Sequence, residues 1–151
     1  MSDRAIIAVF PTANSAYEDA SAIRNLADDK LIDFKVASGA MFKKDEMGNV
    51  IPLEEKGRPL WGTVTGAVTG GLIGALGGPA GAAAGAALGA TAGLTGDAVM
   101  SSLDTGFVDQ VATELRPGDA AVVVEANEGS TSPLDTIVRL NGGRVYRSDL
   151  H

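Results

Sequence analysis

The stretch WGTVTGAVTGGLIGALGGPAGAAAGAALGATAGLTG, Trp61 to Gly96, carries no charged side chain and consists mainly of glycine, alanine and threonine. It is the strongest constraint on the fold, because such a run cannot hold a structure in water by itself. Taken every fourth residue, it is regular. Gly62, Gly66, Gly70, Gly74 and Gly78 form one row, and Val64, Val68, Leu72 and Leu76 form another. Residues four apart lie on neighbouring turns of one helical face, so this spacing predicts a helix with a glycine groove and a separate aliphatic ridge. Pro79, after Gly77-Gly78, breaks that helix and suits the start of the next. The second arm repeats the groove as Gly81, Gly85, Gly89 and Gly93, with Leu88 and Leu94 its only large members. The pattern reads as a helical hairpin with a glycine zipper on each arm and Pro79 at the tip.

Each interior glycine costs roughly 1 kcal/mol of helix stability relative to alanine. Neither arm forms alone, and close backbone approach must compensate through dispersion and weak Cα–H···O contacts. The second arm is small on every face, so one partner helix cannot cover it. Two environments can: hairpins from other copies of the chain, or lipid. Against lipid, each arm is about 17 residues, roughly 25 Å, which is short for a hydrocarbon core of about 30 Å. Insertion energy comes mainly from Leu, Ile, Val and Phe, of which the second arm offers only Leu88 and Leu94. Small-residue packing between membrane helices keeps the lipid alternative open.

The charges all lie in the flanks, residues 1–58 and 97–151, which read as one discontinuous α+β domain around an inserted hairpin, 59–96. AIIAVF (Ala5–Phe10) is a buried strand ended by Pro11. Ser15 and Glu18 fit a capping box. Ala20, Ile23, Ala27 and Leu31 then recur at helical spacing with Leu26 beside them, while Glu18, Arg24, Asp28 and Lys30 populate the remainder. Phe34–Phe42 is a second strand, and a turn at Gly48-Asn49 leads to a third near Val50–Leu53. Phe107, Val108, Val111, Ala112 and Leu115 form a helical stripe that stops at Pro117-Gly118. Ala120–Ala126 is a β-branched strand in a buried context. Ser132, as cap, and Pro133 open a helix through Leu140, which Asn141-Gly142-Gly143 ends before a last strand, RVYRSDL. This order predicts a ferredoxin-like βαββαβ core with an extra C-terminal αβ unit and the hairpin inserted.

A formal charge of −7 argues against nucleic acid, whose phosphates demand clustered Lys and Arg. The one basic pair, Lys43-Lys44, runs into Asp45-Glu46 and reads as a solvated turn. The chain has no cysteine, so there is no disulfide framework and no thiolate metal site, which fits a reducing cytoplasm. The first residues do not read as a signal peptide, because the apolar run Ala5–Phe10 is short and acidic residues follow. The glycines do not make a phosphate loop, since neither dinucleotide nor Walker spacing can be read from them. His151 is terminal, and Asp28-Asp29 and Glu54-Glu55 read as solvated pairs rather than acid/base or metal sites. Ser101-Ser102 and Asp97 read as helix caps, Asp97 and Arg58 as a pair at the hairpin base, and Trp61 as a contact at its entrance.

The Ala20/Leu26 helix, KDEMGNV (Lys44–Val50), the glycine hairpin with Pro79 at its tip, GDAVMSSLDTGF, LRPGDAAVVV and the closing LNGGRVYRSDL occur in an order that resembles a bacterial family of unknown function, the one numbered 1269 and often labelled as predicted membrane protein. The resemblance spans nearly the whole chain. It implies a ferredoxin-like core with an inserted glycine-zipper hairpin, and brings no activity and no catalytic residues. Residues and resemblance together give the expectation of a cytoplasmic, non-enzymatic protein that assembles with itself through Gly62, Gly66, Gly70, Gly74, Gly78, Gly81, Gly85, Gly89 and Gly93, as a ring, tube or shell. No catalytic residue, cofactor or metal is expected. The alternative is a hairpin anchored in, or forming a pore through, the inner membrane, with the α+β domain on the cytoplasmic face. Its cargo or ligand is not specified by the residues.

Overall fold

A computed structural model of the chain describes residues 4–47, 50–53 and 105–149. Along the chain these form β1 (Arg4–Phe10), α1 (Ala13–Asp28), β2 (Phe34–Lys44), β3 (Val50–Leu53), α2 (Thr105–Glu114), β4 (Ala120–Glu128), α3 (Ser132–Leu140) and β5 (Arg144–Asp149). The described residues are thus α+β: one five-stranded antiparallel sheet, ordered β3-β2-β4-β1-β5, with three helices.

The sheet is organised around β4. Val123 lies opposite Ile7 of β1 on one side and Ala40 of β2 on the other. Its AAVVV run is apolar at successive positions because both of its faces are covered. Ala121 and Val123 join Ile7, Val9 and Phe42 beneath α2, which contributes Phe107 and Val111, with Leu115 just past its end. Val122 and Val124 join Ile6, Ala8 and Phe10 beneath α1 and α3. A helix as short as α2 is marginal alone. Three buried large side chains, each contributing roughly 1.5–3 kcal/mol, are enough to hold it.

The distribution of strands differs from the sequence expectation. The fourth strand and its predecessors were expected to complete the core, with α3 and β5 as an appendage. Instead β5 pairs with β1 along its whole length and α3 shares the α1 layer, so the C-terminal unit is integral. β3 takes the outer edge of the sheet, where Pro52, having no N–H to donate to a further strand, is tolerated.

Helix ends also differ. The N-cap of α1 is Thr12, not Ser15: the Thr12 hydroxyl accepts from the Ser15 amide at 3.2 Å, in extended backbone that follows Pro11. α1 stops at Asp28, and Leu31 is 95 % exposed rather than in the helical stripe. An Asp29 carboxylate oxygen accepts from the Leu31 amide at 2.9 Å, turning the chain before the stripe can continue. For α3, the cap position is Thr131, which makes no side-chain cap bond; the Ser130 hydroxyl accepts from the Ser132 amide at 3.3 Å instead. Asn141-Gly142-Gly143 ends α3 as expected, with Gly142 at φ 78°. Lys44 is no solvated turn residue: it closes β2, exchanges backbone hydrogen bonds with Asp119 and Gly118, and donates its Nζ to the Leu115 carbonyl at 3.4 Å. The Gly48-Asn49 turn lies outside the described residues.

Gly143 abuts the Phe10 ring so closely that an added Cβ would fall 2.3 Å from the ring. Gly118, at φ 91°, has nothing within 4 Å. Gly143→Ala is therefore expected to destabilise the domain by about 1–3 kcal/mol through overpacking. Gly118→Ala should cost about 1–2 kcal/mol, from backbone conformation alone. Urea unfolding midpoints compared with the wild type measure both.

Candidate functional site

The nine zipper glycines and Pro79 lie outside the described residues, as do Arg58, Trp61, Asp97, Ser101, Ser102 and His151. The described structure shows the two points between which that segment is inserted. The chain leaves at Leu53, the end of edge strand β3, and returns at Thr105, the start of α2. β3 runs from Val50, opposite Lys44, to Leu53, opposite Met41, away from the β2–β3 turn. α2 runs back toward that turn, where its end is fixed by Lys44 and by an Arg144–Glu114 ion pair at 2.8 Å. The last described residue before the segment and the first after it therefore both lie away from the turn end.

At the opposite end of the sheet lies a charge cluster that sequence reasoning missed. Glu128 closes β4 with its side chain fully buried. The Arg147 guanidinium of β5 donates to both its oxygens, each at 2.9 Å, in the two-pronged geometry that guanidinium and carboxylate favour. Arg147 also donates to the Thr131 carbonyl at 3.4 Å and stands 2.7 Å from an Asp135 oxygen on α3. That oxygen lies off the N–H direction, making the last contact a charge pairing without an aligned hydrogen bond. Arg4 of β1 approaches Glu128 at 3.6 Å and binds Asp149 at 3.0 Å. Burial works to lower the Arg147 pKa, but the Glu128 carboxylate that accepts from it and the charge of Asp135 more than offset it, and the net shift is upward. Cations gathered about one buried carboxylate, Glu128, in this way join β1, β4, β5 and α3; they are poorly placed for acid/base exchange.

Beside the cluster, α3 and β5 border an open groove of about 300 Å³, lined by Asp135, Val138, Arg139, Gly143, Val145 and Arg147. Its opposed charges and openness lack the enclosed apolar character of a small-molecule site. On the other face of the sheet, burial raises the Tyr146 pKa against the opposing Arg144 charge, with Glu114 adding to the rise. Among the described residues no three His, Cys, Asp or Glu are grouped to hold a metal ion, and no helix is long and apolar enough to cross a membrane. Asp28 and Asp29 are exposed.

A second missed residue is Asp19. It is fully buried in α1, and neither carboxylate oxygen has a hydrogen-bond partner. Burial pushes its pKa from 3.8 to about 7, and the neighbouring Asn141 amide draws it down. That amide donates to the Ile137 carbonyl at 3.1 Å, and neither Asp19 oxygen is in hydrogen-bond geometry with it, so it is a polar neighbour and not a full partner. The signal was present in the sequence: positions 16, 19, 20 and 23 form one helical face, and three of them are apolar.

The described residues thus define a small α+β sheet, between whose third strand and second helix the sequence carries the uncharged stretch Trp61–Gly96. The chain belongs to the family described as "Protein of unknown function (DUF1269)", which it matches over residues 61–151, more than half of its length. No curated protein and no solved structure matches it.

Removing Arg147 leaves Glu128 buried without its main partner. Arg147→Met is expected to cost roughly 3–5 kcal/mol of unfolding free energy. Arg144→Met, which breaks a pair whose side chains are 52 % and 41 % exposed, should cost roughly 0–1 kcal/mol. Equilibrium denaturation of the two variants, side by side, reads the difference.

Proposed function

We propose that this is a non-enzymatic, self-assembling protein in which glycine-zipper hairpins from several subunits pack together. The carrying observation is the four-residue glycine spacing, Gly62 to Gly78 and Gly81 to Gly93, in a segment without charge. The site of insertion supports it. The segment joins an edge strand to a helix on the sheet surface, while the edges of β4 are taken by β1 and β2 and its faces by the three helices. A domain with its own core can carry a hairpin outward to meet other copies.

The domain itself we read as ferredoxin-like. β1 and β2, joined by α1, flank β4; β4 and β5, joined by α3, flank β1. Two split β-α-β units interleave in this way, with both connecting helices on one face, and β3 is an added edge. Small-sided arms favour subunit contacts over lipid, since Leu88 and Leu94 are the second arm's only large side chains. Absence of cysteine suits assembly in the reducing cytoplasm.

Fractionation without detergent tests this reading on the full chain. Soluble particles many times the 15.3 kDa mass of one chain are expected. Recovery only in detergent identifies the membrane alternative and overturns it. The doubly substituted Gly85→Leu/Gly89→Leu chain should lose the particles, because leucine prevents close backbone approach. Particles of unchanged size would remove these glycines from the interface.

A further inference from the structure

The α1–α3 seam contains one group that the fold does not explain. Asp19 sits between Ala16, Ala20 and Ile23 on the buried face of α1. Above it, α3 ends at Asn141, and Gly142 and Gly143 lead the chain down to β5, with the Gly143 amide donating to the Val138 carbonyl at 2.9 Å. This turn is packed against Phe10 on one side and faces the Asp19 carboxyl through Asn141 on the other. A buried carboxyl with two unpartnered oxygens is tolerable when neutral and costly when charged.

We infer that Asp19 is a proton-controlled latch between α1 and the turn that joins α3 to β5. With the proton on, the neutral carboxyl stays in the seam and the turn stays closed. On loss of the proton to solvent, the carboxylate must recruit water, and the Asn141–Gly143 turn moves off α1 to admit it. The other end of α3 is retained by the Asp135–Arg147 pair, so the motion is confined to the helix's last turn.

Among the described residues no neighbouring charge is placed to relieve the ionised form. Toward this layer β1 presents Ile6, Ala8 and Phe10, and β4 presents Val122 and Val124. β2 contributes Met41 and, at its exposed end, Lys43. From β5 comes Arg147, bound to Glu128 and Asp135, and α3 adds the exposed Arg139. On α1 itself Glu18 and Arg24 lie outside the buried face. Burial alone, opposed only by the Asn141 amide, raises the pKa from 3.8 to about 7. The folded value exceeds the unfolded one, so the contribution to stability is whole below 3.8, is lost as pH rises, and has gone above about 7. The latch therefore opens across neutrality.

Infrared spectra of the intact chain carrying ¹³C-labelled aspartate test the protonation directly. A protonated aspartic acid band should persist at about pH 6, where ordinary aspartates are ionised, and vanish as pH rises through neutrality. Hydrogen exchange, corrected for its intrinsic pH dependence, should show the amides of Asn141–Gly143 exchanging roughly tenfold faster above neutrality than below it. Asp19→Asn and Asp19→Leu should abolish that pH dependence. Absence of the band at pH 6, or equal pH dependence in wild type and either variant, overturns the latch. The infrared band and the wild-type exchange profile need no variant, and a turn whose corrected exchange is the same on both sides of neutrality overturns the latch even if both substitutions prevent folding.

Discussion

The described structure depends on the burial of β4 on both faces. A strand with apolar residues at consecutive positions must have a hydrogen-bonded neighbour at each edge and a cover on each side. β1 and β2 supply the edges, α1 and α3 one cover, α2 the other. Once β4 is central, β5 has its place beside β1 and β3 is left at the rim. The strand's own end obeys the same demand. Glu128 follows an apolar run into the interior, where only a two-pronged hydrogen-bonded cation makes its charge tolerable, and Arg147 supplies it.

Apolar patterning made the elements readable. Strands β1, β4 and β5, the α2 stripe and the Asn141-Gly142-Gly143 stop are where spacing and turn chemistry put them. Errors gathered where a short-range rule had competitors. Two hydroxyls, Thr12 and Ser15, could cap α1, and the extended backbone at Thr12 makes it the cap, with Ser15 already inside the helix. Leu31 continued the helical spacing, but the Asp29 side chain offered its amide a local bond that ends the helix. Assigning strands to core and periphery requires long-range pairing, which periodicity does not encode. The charge cluster was hidden for the same reason, since Arg4, Glu128, Asp135 and Arg147 meet only after the sheet has formed.

Two departures from simple patterning remain, and they differ in kind. The Glu128 cluster is satisfied, so it locks the end of the sheet. Asp19 is not, so it places a free-energy cost on the seam between the helices that varies with pH. Neither constrains the glycine segment, which enters beyond β3 and leaves before α2. That separation lets the proposed assembly and the sheet domain be perturbed independently.

The absence of native cysteine provides the most direct measurement of the proposed contact between subunits. Gly85→Cys introduces the chain's sole thiol, so any disulfide it forms must join two chains. Under mild oxidation at low protein concentration, the proposed zipper predicts rapid conversion to covalent dimers, while the same substitution at exposed Arg139 stays largely monomeric. If the cysteine at position 85 cross-links no faster than the one at position 139, the glycine segments do not meet across subunits and the assembly account fails.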